Sequence, residues 1–165
     1  MIPRYGTYHS LDWRFITFNQ YRMEPELECL IGYHFQDRGL MDEALEEVGP
    51  GTAGNERLAL LGDTILSLML LRRWYCEGNT TEQGTNLLQA YACNKYLTSR
   101  AKALGLQKFI HQRLDLERGV PDHALATMVE AILGAVWLDS EENLRKVNNV
   151  MSKISLYPAN LNDCT

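Results

Sequence analysis

The sequence predicts an all-α fold, and three observations support this. No stretch alternates apolar and polar residues as a half-buried β-strand does, whereas several stretches repeat apolar residues at helical spacing. Glycine and proline clusters separate these stretches. With 165 residues and a hydrophobic content of 45%, the chain can bury one core. We therefore expect a helical domain over residues 24–155, an aromatic-rich N-terminal extension over residues 1–23, and a C-terminal tail over residues 156–165 that is disordered from Tyr157 onward.

The first helices follow from local signals. Pro25 suits the first turn of an opening helix, because its missing N–H has no helical partner there. A glycine-rich loop spans residues 49–54, and Asn55 is a suitable N-cap for the helix that follows it. From Leu58 to Tyr75 apolar residues occur on nearly every side, so this helix should be central and buried.

The later helices are separated by short breaks. Residues 78–81 end the central helix, and Thr80 or Thr81 is expected to cap the next one. Another helix is expected from Gln89 to Leu104. A break at residues 119–122 then precedes an apolar helix that contains Glu130. A last helix should open at residues 139–142 and continue to about residue 154.

Two of these helices carry acidic residues among apolar ones. Glu56 and Asp63 are seven residues apart, or two helical turns, so both carboxylates lie on one face. Glu130 interrupts an apolar run, where an unpaired charge would be costly to bury. A divalent metal often compensates such carboxylates at hydrolytic sites. The same pattern also fits a solvated Glu56, a capping Asp63 and a Glu130 paired with Lys or Arg, and the spacing leaves both interpretations open.

Four ordered stretches resemble the ribonuclease III domain family. Residues 55–63, Asn-Glu-Arg-Leu-Ala-Leu-Leu-Gly-Asp, resemble its signature, and residues 127–139, which begin Thr-Met-Val-Glu-Ala-Ile-Leu-Gly-Ala, resemble its second acidic helix. Residues 28–45, with Ile-Gly-Tyr-His-Phe, and residues 94–106, which begin Asn-Lys-Tyr-Leu, resemble its opening and middle helices. The resemblance covers roughly residues 25–154. It implies an endonuclease-like helical domain that forms a homodimer.

The homodimer is implied because signature helices pack against each other in this family. Leu58, Leu60 and Leu61 supply apolar surface on that helix here. An isologous interface would place the same patch of both subunits in contact. The same leucines would also fit the core of a single chain, which leaves this alternative open.

The resemblance also assigns catalytic and metal-binding roles. It implies that Glu56, Asp63 and Glu130 are catalytic, and that Asp63 and Glu130 bind Mg²⁺ or Mn²⁺ if the domain is active. The family's metal cage has four carboxylates, but two of its positions are occupied here by Ala59 and Thr127. Ala59 supplies no oxygen, and the neutral hydroxyl of Thr127 is a poor ligand for a hard cation. We therefore expect endonuclease activity that is weakened or lost, with no cofactor if it is lost.

His123 offers one substitute for the missing ligands. It lies one helical turn before Thr127, so both are weak candidate ligands of a mixed site together with Asp63 and Glu130. Such a site would suit manganese or zinc better than magnesium. The alternative is that His123 is an exposed residue at the start of its helix.

The net charge of the chain argues against RNA binding, whereas the charge of one segment favours it. A net charge of −5 argues mildly against avid binding, because phosphate contacts dominate that affinity. However, no acidic residue occurs between Glu82 and Asp115. The resemblance places this segment near RNA and suggests that structured or double-stranded RNA contacts its cations, which include Lys95, Arg100, Lys102 and Lys108. A solvated helix face would have the same pattern.

Other features limit the compartment and partners. The four cysteines show no paired spacing, so we expect neither a disulfide nor a cysteine-bound metal. This pattern favours an intracellular protein, although arginines near the N-terminus leave cytoplasm and mitochondrion unresolved. No apolar run is long enough to cross a membrane. The residues after Ile154 are too few for the double-stranded RNA-binding domain that many members of the family carry.

Three functions are consistent with these features. The first is a dimeric protein that binds structured RNA or acts as a scaffold, with a depleted metal cage. The second is an active metal-dependent endoribonuclease that cuts double-stranded RNA by means of Glu56, Asp63 and Glu130. The third is a cleft used for small-molecule chemistry, with Asp63 or Glu130 as general acid or base. A closed apolar pocket around these acids would favour the third.

Overall fold

The computed structural model describes residues 25–47, 54–111 and 119–161, and this part of the chain is helical. Its elements are α1 (residues 25–31), α2 (Arg38–Leu45), α3 (Glu56–Cys76), α4 (Thr81–Tyr91), α5 (Asn94–Leu104), the 3₁₀ helix η1 (Leu106–Lys108), α6 (Asp122–Asp139) and α7 (Leu144–Lys153). Within the described ranges the only strand-like feature is an isolated bridge between Glu46 and His111. The predicted all-α fold is confirmed. None of the described helices combines the length and apolar character needed to cross a bilayer.

Helices α3 and α6 form the centre of the domain and make its most extensive contact. A Cβ atom at Gly62 would lie 1.8 Å from the carbonyl oxygen of Glu130. One at Gly134 would lie 2.3 Å from the carbonyl oxygen of Leu58. The two backbones therefore touch at the glycines, and the reversed order of the contacts means that the helices run antiparallel. This contact fixes which side chains of α3 and α6 face each other.

The end of α6 also organises the turn between α1 and α2. The Asp139 carboxylate accepts hydrogen bonds from the Tyr33 hydroxyl at 2.7 Å, the Gln36 N–H at 3.0 Å and the Asp37 N–H at 2.7 Å. Three hydrogen bonds to this one carboxylate thus attach the turn to the end of the central helix, although both backbone donors are exposed.

The capping prediction after α3 is confirmed at Thr80, but the next helix break lies elsewhere. Thr80 forms a capping box with Gln83, in which each side chain accepts from the other residue's backbone N–H. Helix α4 then continues to Tyr91, and α5 begins at Asn94. The boundary expected near Gln89 is therefore wrong, because α4 continues until Ala92 caps it.

The last helix begins later than predicted. Helix α6 includes Asp139, and Glu141 and Glu142 have φ angles of 54° and 61°, which are left-handed rather than helical. Asn143 caps the new helix by accepting a hydrogen bond from the Arg145 N–H at 3.0 Å. Residues 139–142 therefore end one helix and turn the chain, instead of opening the next.

The described part of the C-terminal tail is packed, so the prediction of disorder is wrong for residues 157–161. Arg73 of α3 donates a hydrogen bond to the Leu161 carbonyl at 3.3 Å. Its guanidinium lies 3.3 Å from the centroid of the Tyr157 ring, a cation–π contact. The side chain of Leu161 is 8% exposed. The buried arginine thus attaches the tail to the central helix.

The cysteines depart from expectation at one position. Cys76, at the end of α3, is disulfide-bonded, so the expectation of no disulfide is wrong there. Cys29 and Cys93 are free thiols. The predicted N-terminal extension, residues 1–23, lies outside the described residues, as do residues 162–165 of the tail.

Candidate functional site

Helix α3 presents two of the three predicted catalytic acids. Glu56 is its first residue and is exposed, where a negative charge is favourable at the positive end of the helix dipole. Asp63 is half-buried. The N-cap residue, Asn55, is buried and makes no side-chain capping bond. Its amide instead donates to the Ala44 carbonyl at 3.0 Å, which attaches the start of α3 to α2.

The third acid, Glu130, faces α3 next to Asp63. Because the α3 and α6 backbones touch at Gly62, the neighbouring Asp63 lies beside Glu130 across the contact. Burial and, secondarily, the negative charge of Asp63 raise the pKa of Glu130 to about 7. The structure therefore brings two of the predicted acids into one cleft, which we call the α3–α6 cleft and define by Asp63 and Glu130.

Glu56 does not complete a cluster with these two acids. It is separated from Asp63 by two turns, roughly 10 Å along the helix axis. Within the described ranges, no three His, Cys, Asp or Glu side chains are grouped closely enough to hold a metal ion.

The two departures from the family's cage occupy the same cleft. Ala59 lies one turn before Asp63 on α3 and is 5% exposed, so a buried methyl group stands where a carboxylate would stand. The Thr127 hydroxyl donates a hydrogen bond to the His123 carbonyl at 2.9 Å, one turn back on its own helix. The four positions thus carry two carboxylates, one methyl group and one hydroxyl that is engaged within α6.

This donor set does not fit the four-carboxylate cage that the resemblance implies. Divalent cations such as Mg²⁺ take oxygen ligands, and carboxylates supply the charge that offsets dehydration of the ion. The His123 ring is exposed, and in the described part of the chain it belongs to no group of three potential ligands.

Two of the predicted RNA-binding cations form ion pairs. Lys102 contacts the Asp122 carboxylate at 2.5 Å, and Lys108 contacts the Glu26 carboxylate. All four side chains are about half exposed or more, and exposed pairs of this kind contribute little to stability. A phosphate group can therefore compete for either lysine at small cost.

The other two cations differ from each other. Arg100 is half-buried and donates to the Ile154 carbonyl at 3.2 Å, so it caps the end of α7. Lys95 lies exposed in the first turn of α5. Within the described part of the chain, Lys95 is the one of the four with no ion pair or side-chain hydrogen bond.

Sequence reasoning did not identify a pocket of about 530 Å³ beside α5 and the start of α6, lined by Lys102, Gln107, Gly119, Val120 and Leu125. Neither Asp63 nor Glu130 lines it. This pocket therefore gives no support to small-molecule acid–base chemistry at the cleft. No local sequence signal would have found it, because its walls come from two segments, residues 102–107 and 119–125, that meet only in the folded chain.

Comparison with known sequences identifies the family of this chain. Residues 56–141 match the family profile described as the ribonuclease III domain. A protein named Ribonuclease 3 from Idiomarina loihiensis is 34% identical over 128 residues, which cover 74% of this chain and 56% of that protein. Ribonuclease 3 from Shewanella halifaxensis is 33% identical over 122 residues, covering 71% of this chain and 54% of that protein. The chain thus spans about half the length of these relatives.

Two solved structures share the fold. Both are of the nuclease domain of ribonuclease III from Campylobacter jejuni, and one is described as showing structural flexibility in a region involved in dimer formation. That structure superimposes with a TM-score of 0.69 at 25% identity and covers 78% of this chain and 94% of its own. The other, a crystal structure at 2.2 Å resolution, has the same TM-score and identity and covers 79% of this chain and 92% of its own.

Proposed function

Because this chain belongs to the ribonuclease III domain family, we propose that it acts as a dimeric domain that binds structured RNA or serves as a scaffold, with endonuclease activity weakened or lost. The observation that carries the proposal is the composition of the α3–α6 cleft. Ala59 is buried without an oxygen atom, and the Thr127 hydroxyl is bonded within its own helix. Metal-assisted hydrolysis of a phosphodiester depends on cations that activate water and stabilise the leaving oxygen.

The dimer is supported by an apolar surface along α3. Leu60, Leu68 and Tyr75 are 75%, 50% and 78% exposed, and their spacing places them on one side of the helix. We call these three residues the α3 apolar face. Exposed apolar stripes of this kind mark protein interaction sites, and a two-fold axis would pair the face with its copy. The dimer-forming nuclease domain from Campylobacter jejuni shares this fold.

Of the three leucines predicted to form the dimer interface, one is exposed to solvent. Leu58 is 4% exposed and belongs to the core. Leu61 packs against the same core, whereas Leu60 points into solvent. The core alternative is therefore correct for Leu58 and Leu61, and the interface hypothesis rests on Leu60 together with Leu68 and Tyr75.

The segment between Glu82 and Asp115 has no acidic residue, and this supports RNA binding. A substitution of its exposed Lys95 tests the proposal. We expect the full chain to bind a fluorescent RNA hairpin in EDTA, with an affinity that falls as salt is added. Lys95→Glu should weaken binding about three- to tenfold and lower the salt slope by about one. Lys146→Glu, at an exposed position on α7, serves as the control and should bind like the wild type. Absence of binding at low salt would reject RNA as the partner.

Retained nuclease activity is the alternative, and one observation favours it. Asp63 and Glu130 repel each other in the cleft, and a cation would relieve this repulsion. Mg²⁺ can be held by one or two carboxylates together with phosphate oxygens of a substrate. The curated relatives are named Ribonuclease 3. This alternative requires metal-dependent RNA cleavage that Glu130→Ala abolishes.

A further inference from the structure

We infer that the α3–α6 cleft retains the frame of a divalent-metal site but has lost the affinity for the ion, and that carboxylates at positions 59 and 127 alone would restore it. The inference deepens the proposed function and rests on it, since it locates the loss of activity in two side chains. It makes no claim about RNA. By the frame we mean the contact between α3 and α6 at Gly62 and Gly134. The two missing ligands are the carboxylates at positions 59 and 127.

The frame is rigid at the point where the acids meet. At Gly62 and Gly134 the two helices approach so closely that a methyl group would overlap a carbonyl oxygen of the opposite helix. Asp63 follows one of these glycines, and Glu130 supplies the carbonyl that touches it. The close contact therefore fixes the backbone positions that carry both acids without help from a bound ion, because tightly packed interiors yield little.

Each empty position lies one helical turn from a retained acid. Position 59 precedes Asp63 by four residues, and position 127 precedes Glu130 by three, so each pair shares a helix face. Thr127 is only half-buried, which leaves room for a side chain of similar size. A carboxylate there cannot donate to the His123 carbonyl as the hydroxyl does, so it would be released from that contact.

The restored site should be unstable without a cation. Two added carboxylates beside Asp63 and Glu130 would repel one another. An ion that binds only the folded protein then stabilises it in proportion to the logarithm of its concentration over Kd. The variant should therefore show a lowered melting temperature that Mn²⁺ raises, which is a readout independent of nuclease activity.

The test is a calorimetric titration of Mn²⁺ into the full chain without RNA. The pair of substitutions Ala59→Glu and Thr127→Asp should bind Mn²⁺ on the order of a hundredfold more tightly than the wild type. The matched control, Ala59→Gln with Thr127→Asn, has nearly the same shape without the charge and should bind like the wild type. Adding Glu130→Gln to the restored variant should remove the gain.

If a glutamate at buried position 59 prevents folding, two single variants at position 127 can be compared instead. Thr127→Asp alone should bind Mn²⁺ about tenfold more tightly than Thr127→Asn.

Two results would overturn the inference. The first is tight Mn²⁺ binding by the wild type that Glu130→Gln removes, since the present residues would then suffice. The second is a folded restored variant that binds no better than its neutral control, since the frame would then not direct the ligands. RNA binding in EDTA involves no metal, so its failure would reject RNA as the partner in the proposed function without affecting this result.

Discussion

Glu130 is the residue whose ionisation depends most on the cleft. Burial and the Asp63 charge raise its pKa to about 7, so the folded state binds a proton more tightly than the unfolded chain does. For such a group, the stabilisation is fully present below the unfolded pKa. It is lost as pH rises from the ordinary glutamate value to about 7. The ionised carboxylate is therefore a stability cost at alkaline pH.

Glu130→Gln should remove this cost. At about pH 8 the variant should be more stable than the wild type by roughly 1 kcal/mol, a value discounted because the group is partly exposed to solvent. At about pH 4 the two proteins should be nearly equal. Thermal melts across this range measure the difference, with Glu56→Gln as the exposed control. Equal melting temperatures of the variant and the wild type at alkaline pH would show that ionised Glu130 does not destabilise the folded protein.

Asp139 should contribute far more to stability than a surface acid. It accepts the three hydrogen bonds that order the turn between α1 and α2. Asp139→Ala removes these three hydrogen bonds and should cost about 1–2 kcal/mol, because the two exposed backbone donors can bond water instead. This loss corresponds to a fall of a few degrees in Tm. Asp122→Ala breaks only an exposed pair with Lys102 and should change stability by about 0.5 kcal/mol or less. Similar losses in both variants would contradict this role.

The chemistry of individual residues was largely readable from the sequence. The sequence alone indicates which ligands of the family's metal cage are present, Asp63 and Glu130. It also indicates which are missing, at Ala59 and Thr127. The sequence could not show that the Thr127 hydroxyl bonds to its own helix or that Glu130 holds its proton near neutral pH. The hydroxyl has a choice between solvent and the carbonyl one turn back in its own helix, which only the structure resolves. The pKa of Glu130 depends on its burial and on its distance from Asp63 of α3, and periodicity carries no information about that distance.

At the scale of elements, the contact between α3 and α6 determines the site. Gly62→Ala would force a methyl group to within 1.8 Å of the Glu130 carbonyl oxygen, so the helices must separate. We expect a loss of more than about 3 kcal/mol, measured by denaturant unfolding. The control is Gly39→Ala in α2, where the added methyl would meet only the flexible Asp37 side chain. Stability of the Gly62 variant close to that of the control would refute the close contact.

The helices themselves were predicted better than their ends. The long apolar patterns of α3 and α6 are strong signals, and their central position is confirmed. The start of α7 was missed because Glu141 and Glu142 are ordinary helix formers that adopt left-handed backbone angles here. The packed tail was missed because its anchor is Arg73, which is distant in sequence and looks like a surface residue until its burial is known.

At the scale of the whole molecule, the α3 apolar face predicts self-association. Leu60→Lys places a charge within the α3 apolar face and should convert the dimer to a monomer. It should change Tm little, because Leu60 is 75% exposed and contributes little to the core. Light scattering after size exclusion measures the mass. Gln89→Lys, at an exposed position on α4, should leave the dimer intact. A wild-type protein that remains monomeric at micromolar concentration would reject the interface.

We expect the α3–α6 cleft to cleave RNA poorly or not at all, and a cleavage assay with a long, labelled double-stranded RNA decides this. The purified chain and Glu130→Ala would be compared with Mg²⁺, with Mn²⁺ and with EDTA. The composition of the cleft predicts no metal-dependent product, or an equal trace from both proteins. Efficient metal-dependent cleavage by the wild type that disappears in Glu130→Ala would contradict it. Such a result would show that catalysis depends on Glu130 and does not require carboxylates at positions 59 and 127.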